Sequence, residues 1–416
     1  MRKLIAIIGS NFGDEGKGLM TDYFASQGDS IVVRFNGGAQ AGHTVVTPTL
    51  RHVFHHFGSG TLAGAPTYLS KYFILNPILF RREYEELEKN GVEPEVYIDP
   101  TCLITTPFEM LLNQVIETVR GGDRHGSCGL GINETVERNK IFSLTLENYF
   151  DWDKYRWILD YIPMRLEQFG ITEIPPRFKH IVRNYHTVIN RFLDDVDFLV
   201  SHSSKINLSK GGWIWKNIIF EGAQGLLLDE DSPFFPYVTR SKTGLCNVAK
   251  LINELNFKFD VLKVVYVTRW YTTRHGVGPL PWENPYFKPE DETNVENEFQ
   301  GGLRCGWLDL DLFSRTINRD LAENGSIPIE AELAVTWLDT AKQITYKDEQ
   351  LYKSSIDRFI SDLLKSVHSH KAYLSYGPTR NTVFPVVYQL SGKGLKGIKT
   401  YIKVNEYGKV EASQGI

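Results

Sequence analysis

A chain of 416 residues with 42% hydrophobic content has ample apolar material for a large core, and its length alone suits two or three domains. Its 46 Lys and Arg against 50 Asp and Glu leave a formal charge of -4, which excludes a basic footprint for nucleic acid or for a membrane surface; any anionic ligand is met locally. Cys102, Cys128, Cys246 and Cys305 lie far apart with no CxxC or histidine-rich spacing, so neither a zinc site nor a disulfide framework is expected, and a reducing cytoplasm fits.

In chain order, Met1-Arg2-Lys3 precedes an apolar run that soon meets Gly9 and Asp14-Glu15. That run is too short for a leader peptide and reads as a buried first strand over 4–8. Further β-rich runs follow at 31–35, 95–98, 217–220, 261–267, 329–335 and 372–375, with helical stretches between them. The alternation predicts an α/β fold around a large, mostly parallel central sheet flanked by helices. Residues 77–90 open with Pro77 and stop before Gly91, which are helix start and stop signals. From about 109 to 201 strand signals are few and amphipathic stretches such as 153–169 dominate, so this part reads as a helical insertion within one domain spanning 1–416. No later stretch is apolar enough to span a bilayer.

In open parallel sheets ligands bind where loops leave the carboxyl ends of strands. The first such loop is Gly9-Ser10-Asn11-Phe12-Gly13-Asp14-Glu15-Gly16-Lys17-Gly18, followed by a helical stretch. Glycines admit backbone N–H groups to an anion, a helix N-terminus adds partial positive charge, and Lys17 supplies a full one. This is a phosphate cradle, but not a Walker A loop: Asn11 stands where its first Gly belongs, and Gly18 where Ser or Thr would follow the lysine. Asp14 is the anomaly, because a carboxylate beside phosphate repels it unless Mg²⁺ ligation or base chemistry requires it.

This loop resembles the Gly-x-x-Trp-Gly-Asp-Glu-Gly-Lys-Gly signature of the adenylosuccinate synthetase family, with Phe12 for Trp and Leu19 for a second lysine. Other blocks of the family follow in order: Gly37-Gly38-Ala39-Gln40-Ala41-Gly42-His43-Thr44, then Phe220-Glu221-Gly222-Ala223-Gln224-Gly225. Pro236-Tyr237-Val238-Thr239, Thr273-Arg274 with Gly278-Pro279, Cys305-Gly306-Trp307-Leu308-Asp309 and Ser375-Tyr376-Gly377-Pro378 complete the set. The chain is thereby identified as a member of that family.

The resemblance implies a ligase that phosphorylates the 6-oxygen of a purine monophosphate with a nucleoside triphosphate and then displaces the phosphate with the amine of L-aspartate. It implies Asp14 as the base for the N1 proton and a Mg²⁺ ligand, His43 as the acid at the transferring phosphoryl, and Lys17 as the phosphate-neutralising lysine. Gly42 matches a backbone-carbonyl Mg²⁺ ligand. Asn11, Gln40, Gln224 and Thr239 match the monophosphate site; Gly16, Gly18, Thr44, Asp339, Ser375, Gly377 and Pro378 join Lys17 at the triphosphate. Gly126-Ser127-Cys128-Gly129 resembles the family's Thr-Thr-Gly phosphate loop, where Ser127 keeps a hydroxyl and Cys128 is a poor donor. Arg138 is the candidate for an arginine reaching across a homodimer interface to the monophosphate.

Three departures fall where substrates are chosen. The family's arginine-rich loop is shortened here to Asn297-Glu298-Phe299-Gln300-Gly301-Gly302-Leu303-Arg304, leaving L-aspartate to Arg304 and backbone donors of Gly301, Gly302 and Leu303. Losing an arginine donor to a 2′-hydroxyl removes a contact of about 1 kcal/mol, a loss that vanishes for a deoxyribonucleotide. In Thr336-Trp337-Leu338-Asp339 an indole replaces the lysine that packs on guanine, which favours ATP, while Asp339 keeps GTP in play. Gln40 replaces the asparagine that touches the purine 6-oxygen. Together these resemble a branch of the family that serves bacteriophages with diaminopurine DNA and joins aspartate to dGMP. The alternatives are an ordinary enzyme using IMP and GTP, and a nucleotide-binding regulator without catalysis.

Overall fold

The computed structural model describes residues 2–209, 213–255, 258–289 and 298–388, with the backbone of Thr400–Val404 and Val410–Gln414. A twelve-stranded sheet organises the molecule. Its central strand is Lys3–Gly9, with Asn217–Gly225, Ser30–Arg34, Thr67–Leu69, Val96–Ile98 and Ser204–Lys205 in order on one side. On the other side lie Leu262–Arg269, Ile329–Thr336 and Lys371–Ser375, and every pair up to this point is parallel. Val383–Val387, Thr400–Val404 and Val410–Gln414 close that edge in antiparallel pairing.

All seven expected strands are present, and all belong to this sheet. Successive strand residues face opposite sides, and the central strand obeys this closely. Leu4, Ala6 and Ile8 enter one apolar core, while Ile5 and Ile7 enter another on the opposite face. Neighbouring strands repeat the division, with Phe220 and Tyr266 on one side and Ile219 and Val265 on the other. Burial on both faces is why these segments read as continuous apolar runs. The strand expected at 217–220 extends to Gly225, because Glu221 and Gln224 break the apolar pattern while the backbone pairing continues.

The helix Pro77–Lys89 starts as expected, with the Asn76 side chain accepting from Leu79 N at 3.2 Å and Pro77 in its first turn. Pro107–Arg120 opens with a capping box between Thr106 and Glu109. With Trp152–Glu167 and Tyr185–Ser201 these helices build a separate apolar core around Phe80, Phe108, Leu112, Tyr155 and Phe192. Among the described residues, no helix is long and apolar enough to cross a membrane.

A second sheet contains Tyr271–His275, Leu303–Asp309, Ile344–Asp348 and Gln350–Ser354. Its antiparallel pairing sets Arg274 opposite Arg304 and His275 opposite Leu303, which carries the shortened loop to the carboxyl ends of the main strands.

Candidate active site

The loop after Lys3–Gly9 is anchored by Ser10, whose N–H and hydroxyl both donate to Val267 O at 3.0 and 2.8 Å. It then turns through Gly13, Asp14 and Gly16 at φ of 99°, 60° and 101° into the helix Lys17–Ala25. Gly18 is glycine for a packing reason: a Cβ there would stand 2.9 Å from Thr44 O and 3.2 Å from His43 Cβ. The serine or threonine of a Walker loop cannot occupy that spot. Lys17 is buried, and its ammonium lies 3.0 Å from Glu15 Oε2. Glu15 Oε1 accepts from Asn11 N and Gly13 N, both at 2.9 Å, so this carboxylate balances the lysine and fills part of the cradle itself. The sequence reading assigned Glu15 no role.

His43 follows exposed Gly42, whose carbonyl precedes the strand His43–Val46. Its Nδ1 lies 2.8 Å from Glu221 Oε1, and its buried Nε2 has no protein partner. Glu221 also accepts from Ser59 N at 3.0 Å and from the Ser59 hydroxyl, with the fully buried Arg34 at 4.0 Å. Strand register sets Glu221 beside Arg34, since Glu221 pairs with Ile7 on one side and Arg34 on the other. Burial pulls the His43 pKa down to about 4, the Glu221 charge raises it incompletely, and Arg34 and Lys17 lower it further. Burial pushes the Glu221 carboxyl up, but His43, Arg34 and Ser59 outweigh it and leave it at about 2. The pair thus holds a neutral imidazole that donates Nδ1–H to a carboxylate, with Nε2 aimed into the site.

The Asp14 carboxylate is held by His275, with Oδ2 3.1 Å from His275 Nε2. Burial raises its pKa, yet the hydrogen bond and charge of His275, with Arg269 and Lys17, bring it to about 2. It is ionised throughout the physiological range. Arg269 Nε donates to Asp14 O and Thr273 Oγ1 donates to Gly13 O at 2.8 Å, which fixes the left-handed turn. His275 lies between Thr273-Arg274 and Gly278-Pro279, and the sequence reading passed over it.

Gln224, at φ 57°, and Gln40 complete this end of the sheet. Both amide atoms of Gln40 and Oε1 of Gln224 are buried without a partner. They converge, since a Cβ on Gly37 would lie 3.4 Å from Gln40 Nε2 and 3.5 Å from Gln224 Oε1. Buried amides are rarely left bare, and these await a polar ligand. Asn11 is engaged elsewhere, with its Nδ2 donating to Thr268 Oγ1 at 3.0 Å. Ser127 Oγ donates to Asn113 Oδ1 at 2.8 Å, and burial pushes the Cys128 thiol up to about 11. Thr239 is held through its backbone, donating to Leu228 O.

Arg138 corrects an expectation. It is fully buried, its Nε donates to Glu109 Oε1 at 2.7 Å and its NH2 donates to Ile104 O at 2.7 Å. A guanidinium committed inside the helical core does not cross to a partner subunit. Arg304 corrects another. Its Nε and NH2 grip both oxygens of Glu283, and NH1 donates to Gly276 O and Gly278 O at 2.7 and 2.8 Å. Four of its five N–H donors are taken, which leaves a single NH2 hydrogen and no bidentate grip for a substrate carboxylate. Gly301, Gly302 and Leu303 do lie beside the site, while Asn297 is outside the described residues.

The triphosphate candidates sit at the ends of two adjacent parallel strands. Trp337 follows Ile329–Thr336 at φ 63°, with the Arg269 guanidinium 4.4 Å from its ring centre and its carbonyl accepting from Trp270 Nε1. Thr336 Oγ1 donates to Glu15 O, which ties this strand end to Gly16 in the first loop. Asp339 is exposed. Ser375 Oγ donates to Gly377 O at 2.8 Å, and Pro378 is exposed beside it. Among the described residues, Asp14, Gln224 and Trp337 are three of the six non-glycine residues at positive φ, and such strain gathers at functional sites.

The family model for adenylosuccinate synthetase matches residues 6–382. The adenylosuccinate synthetase of Picosynechococcus sp. is 32% identical over 321 residues, covering 73% of this chain and 69% of its own. That of Psychrobacter cryohalolentis is 31% identical, covering 76% and 74%. Among solved structures, the fully ligated adenylosuccinate synthetase of Plasmodium falciparum aligns with a TM-score of 0.68 at 20% identity, covering 92% of this chain and 99% of that one. The succinoaminodeoxyadenylate synthetase of cyanophage S-2L, bound to dGMP and to dATP as an energy donor, aligns at 0.59 and 17%, covering 92% and 95%. With its sheet, its loops and nearly all its length accounted for in this way, the chain belongs to the adenylosuccinate synthetase family.

Proposed function

We propose that this carbon–nitrogen ligase acts on dGMP, joining L-aspartate to C6 with ATP as phosphoryl donor and giving 2-amino-2′-deoxyadenylosuccinate. The observation that carries the reaction type is that Lys17 acts on both ionised Asp14 and neutral His43, whose Nε2 is bare, while the unpartnered amides of Gln40 and Gln224 meet beside Gly37. Asp14 takes the N1 proton as the 6-oxygen attacks the γ-phosphorus and the nucleoside diphosphate leaves. The aspartate amine then attacks C6, losing a proton, and inorganic phosphate departs. Neutral His43 acquires its Nε2 proton when the polyanionic triphosphate arrives, because nearby negative charge favours imidazolium. Glu221 holds the ring in place throughout.

The donor set fits Mg²⁺. The Asp14 carboxylate and the Gly42 carbonyl are hard oxygen ligands, and a Mg²⁺ held there offsets charge on the phosphates. Two observations support dGMP: Arg304, the arginine of the short loop, has four of its five N–H donors taken and little left for a 2′-hydroxyl, and Gln40 offers a longer amide with both polar atoms free for a base. The named dGMP-using cyanophage enzyme shares the fold. Trp337, a stacking surface that Arg269 already covers on one face, supports ATP. We further propose a cytoplasmic homodimer, which sedimentation tests directly.

A second reading, IMP with GTP, is favoured by the names of the curated relatives. Succinylated product formed from dGMP, GMP and IMP, each with aspartate and ATP, decides between them. Turnover of dGMP well above the other two is expected, and turnover of IMP alone refutes the proposal.

A further inference from the structure

The ligase reading requires a cationic receptor for the two carboxylates of L-aspartate, and the arginine the sequence offered is committed elsewhere. The neighbouring arginines are committed too. Arg274 donates to the carbonyls of Val277, Pro279 and Tyr237. Arg177 divides its guanidinium between Glu298 Oε1 at 2.6 Å and Thr118 Oγ1 at 2.7 Å.

Arg124 differs. Among the described residues it makes no ion pair, and its single hydrogen bond runs from NH1 to Glu298 O at 2.9 Å. Its NH2 lies 3.8 Å from the point where a Cβ on Gly301 would stand, and Gly276 Cα lies 3.7 Å from that same point. Gly276 follows His275, whose Nε2 touches Asp14. A path along the backbone of Gly276 and Gly301 thus leads from the His275–Asp14 pair towards the Arg124 guanidinium. An amine that attacks C6, the atom next to N1, trails its carboxylates along such a path. The backbone there is open: Gly301 holds φ 94°, and a Cβ on Gly302 would meet nothing within 4 Å.

We propose that Arg124 is the carboxylate receptor for L-aspartate, acting beside the Gly301-Gly302 backbone where the family resemblance already places the amino acid. The inference rests on the ligase reading for the identity of the amino acid. A guanidinium and a carboxylate form charge-assisted, bidentate hydrogen bonds, and Arg124 has two donor groups left for them.

Calorimetric titration of L-aspartate into the whole protein, with dGMP and a non-hydrolysable ATP analogue present, tests this. Arg124→Leu is expected to weaken aspartate binding about 10- to 100-fold while dGMP affinity stays within about twofold, and Arg124→Lys is expected to recover part of the loss. Gly302→Ala, whose Cβ meets no protein atom within 4 Å, is expected to weaken aspartate with an unchanged melting temperature. Unaltered aspartate affinity in Arg124→Leu overturns the proposal, as does no aspartate binding by the wild type. The turnover assay fails separately: Arg124-dependent aspartate binding without product refutes the ligase reading and leaves the subsite standing.

Discussion

The two halves of the site are built on different principles. Around His43 and Asp14, each group is held by another: Glu221 fixes His43, Ser59 and Arg34 hold Glu221, and His275 holds Asp14. Glu221 and Arg34 stand on central parallel strands, His43 and His275 on two smaller sheets that meet them, and most of these side chains are buried. Around the substrate loop, contacts are fewer and more exposed. Arg304 is wired to Glu283, and Arg124 is held by one carbonyl. The difference separates chemistry from choice. On the proposed roles, groups that move protons are positioned by the core, whereas groups that select ligands sit on loops, where a changed segment can alter specificity without disturbing the reaction.

The largest expected effect breaks the buried half directly. Asp14→Asn and His43→Asn should each lower kcat by about 100-fold or more while the KM for the monophosphate stays within a few-fold. Steady-state kinetics with near-normal turnover in either variant would remove that residue from its role. Glu221→Gln comes next, with two readouts. Loss of the Nδ1 orienter should lower kcat about 10- to 100-fold. Leaving buried Arg34 uncompensated should cost about 3–5 kcal/mol in urea unfolding, and an unchanged unfolding midpoint would show that Arg34 does not depend on Glu221.

The buried half also carries a pH-sensitive cost. Asp22, in the helix after the first loop, is buried against Arg380 at 2.7 Å. Burial raises its pKa to about 6, with Glu221 adding to the rise and Arg380 opposing it. The folded-state value exceeds the usual carboxylate value, so stability from this group is full below about pH 4 and is lost as pH rises towards 6. The two-unit shift corresponds to about 2–3 kcal/mol. Thermal melts at pH 4 and pH 6.5 should show a smaller fall in Asp22→Asn than in the wild type; equal falls would exclude Asp22 as the source. On the selective half, Trp337→Lys should move the ratio of ATP to GTP use towards GTP by about tenfold or less with little change in kcat. An unchanged ratio would remove the indole from triphosphate choice.

Strand positions were legible because apolar runs bounded by glycine and charge leave few alternatives, and the first loop announced itself through Asp14 among glycines. The partners of the catalytic groups were not legible. Glu221 lies 178 residues from His43; parallel register sets it beside Arg34, and the separate strand pair His43–Val46 with Arg51–Phe54 brings His43 to it. His275 meets Asp14 through a different sheet, from a hairpin whose pairing with the shortened loop no local pattern reveals. Arginines misled for the same reason. Arg138 and Arg304 sit in sequence where ligand contacts were expected, but Glu109 and Glu283 reach them first. A charged residue's role depends on the nearest opposite charge in space, which spacing along the chain does not give.

The most direct test is a competition in one vessel: equal concentrations of dGMP and IMP, excess L-aspartate, limiting ATP with Mg²⁺, and the two succinylated products counted by mass. A clear excess of the 2-amino deoxyribonucleotide product is the result predicted here. An excess of adenylosuccinate would contradict it, leaving the buried chemistry of Asp14 and His43 in place but returning the substrate to IMP.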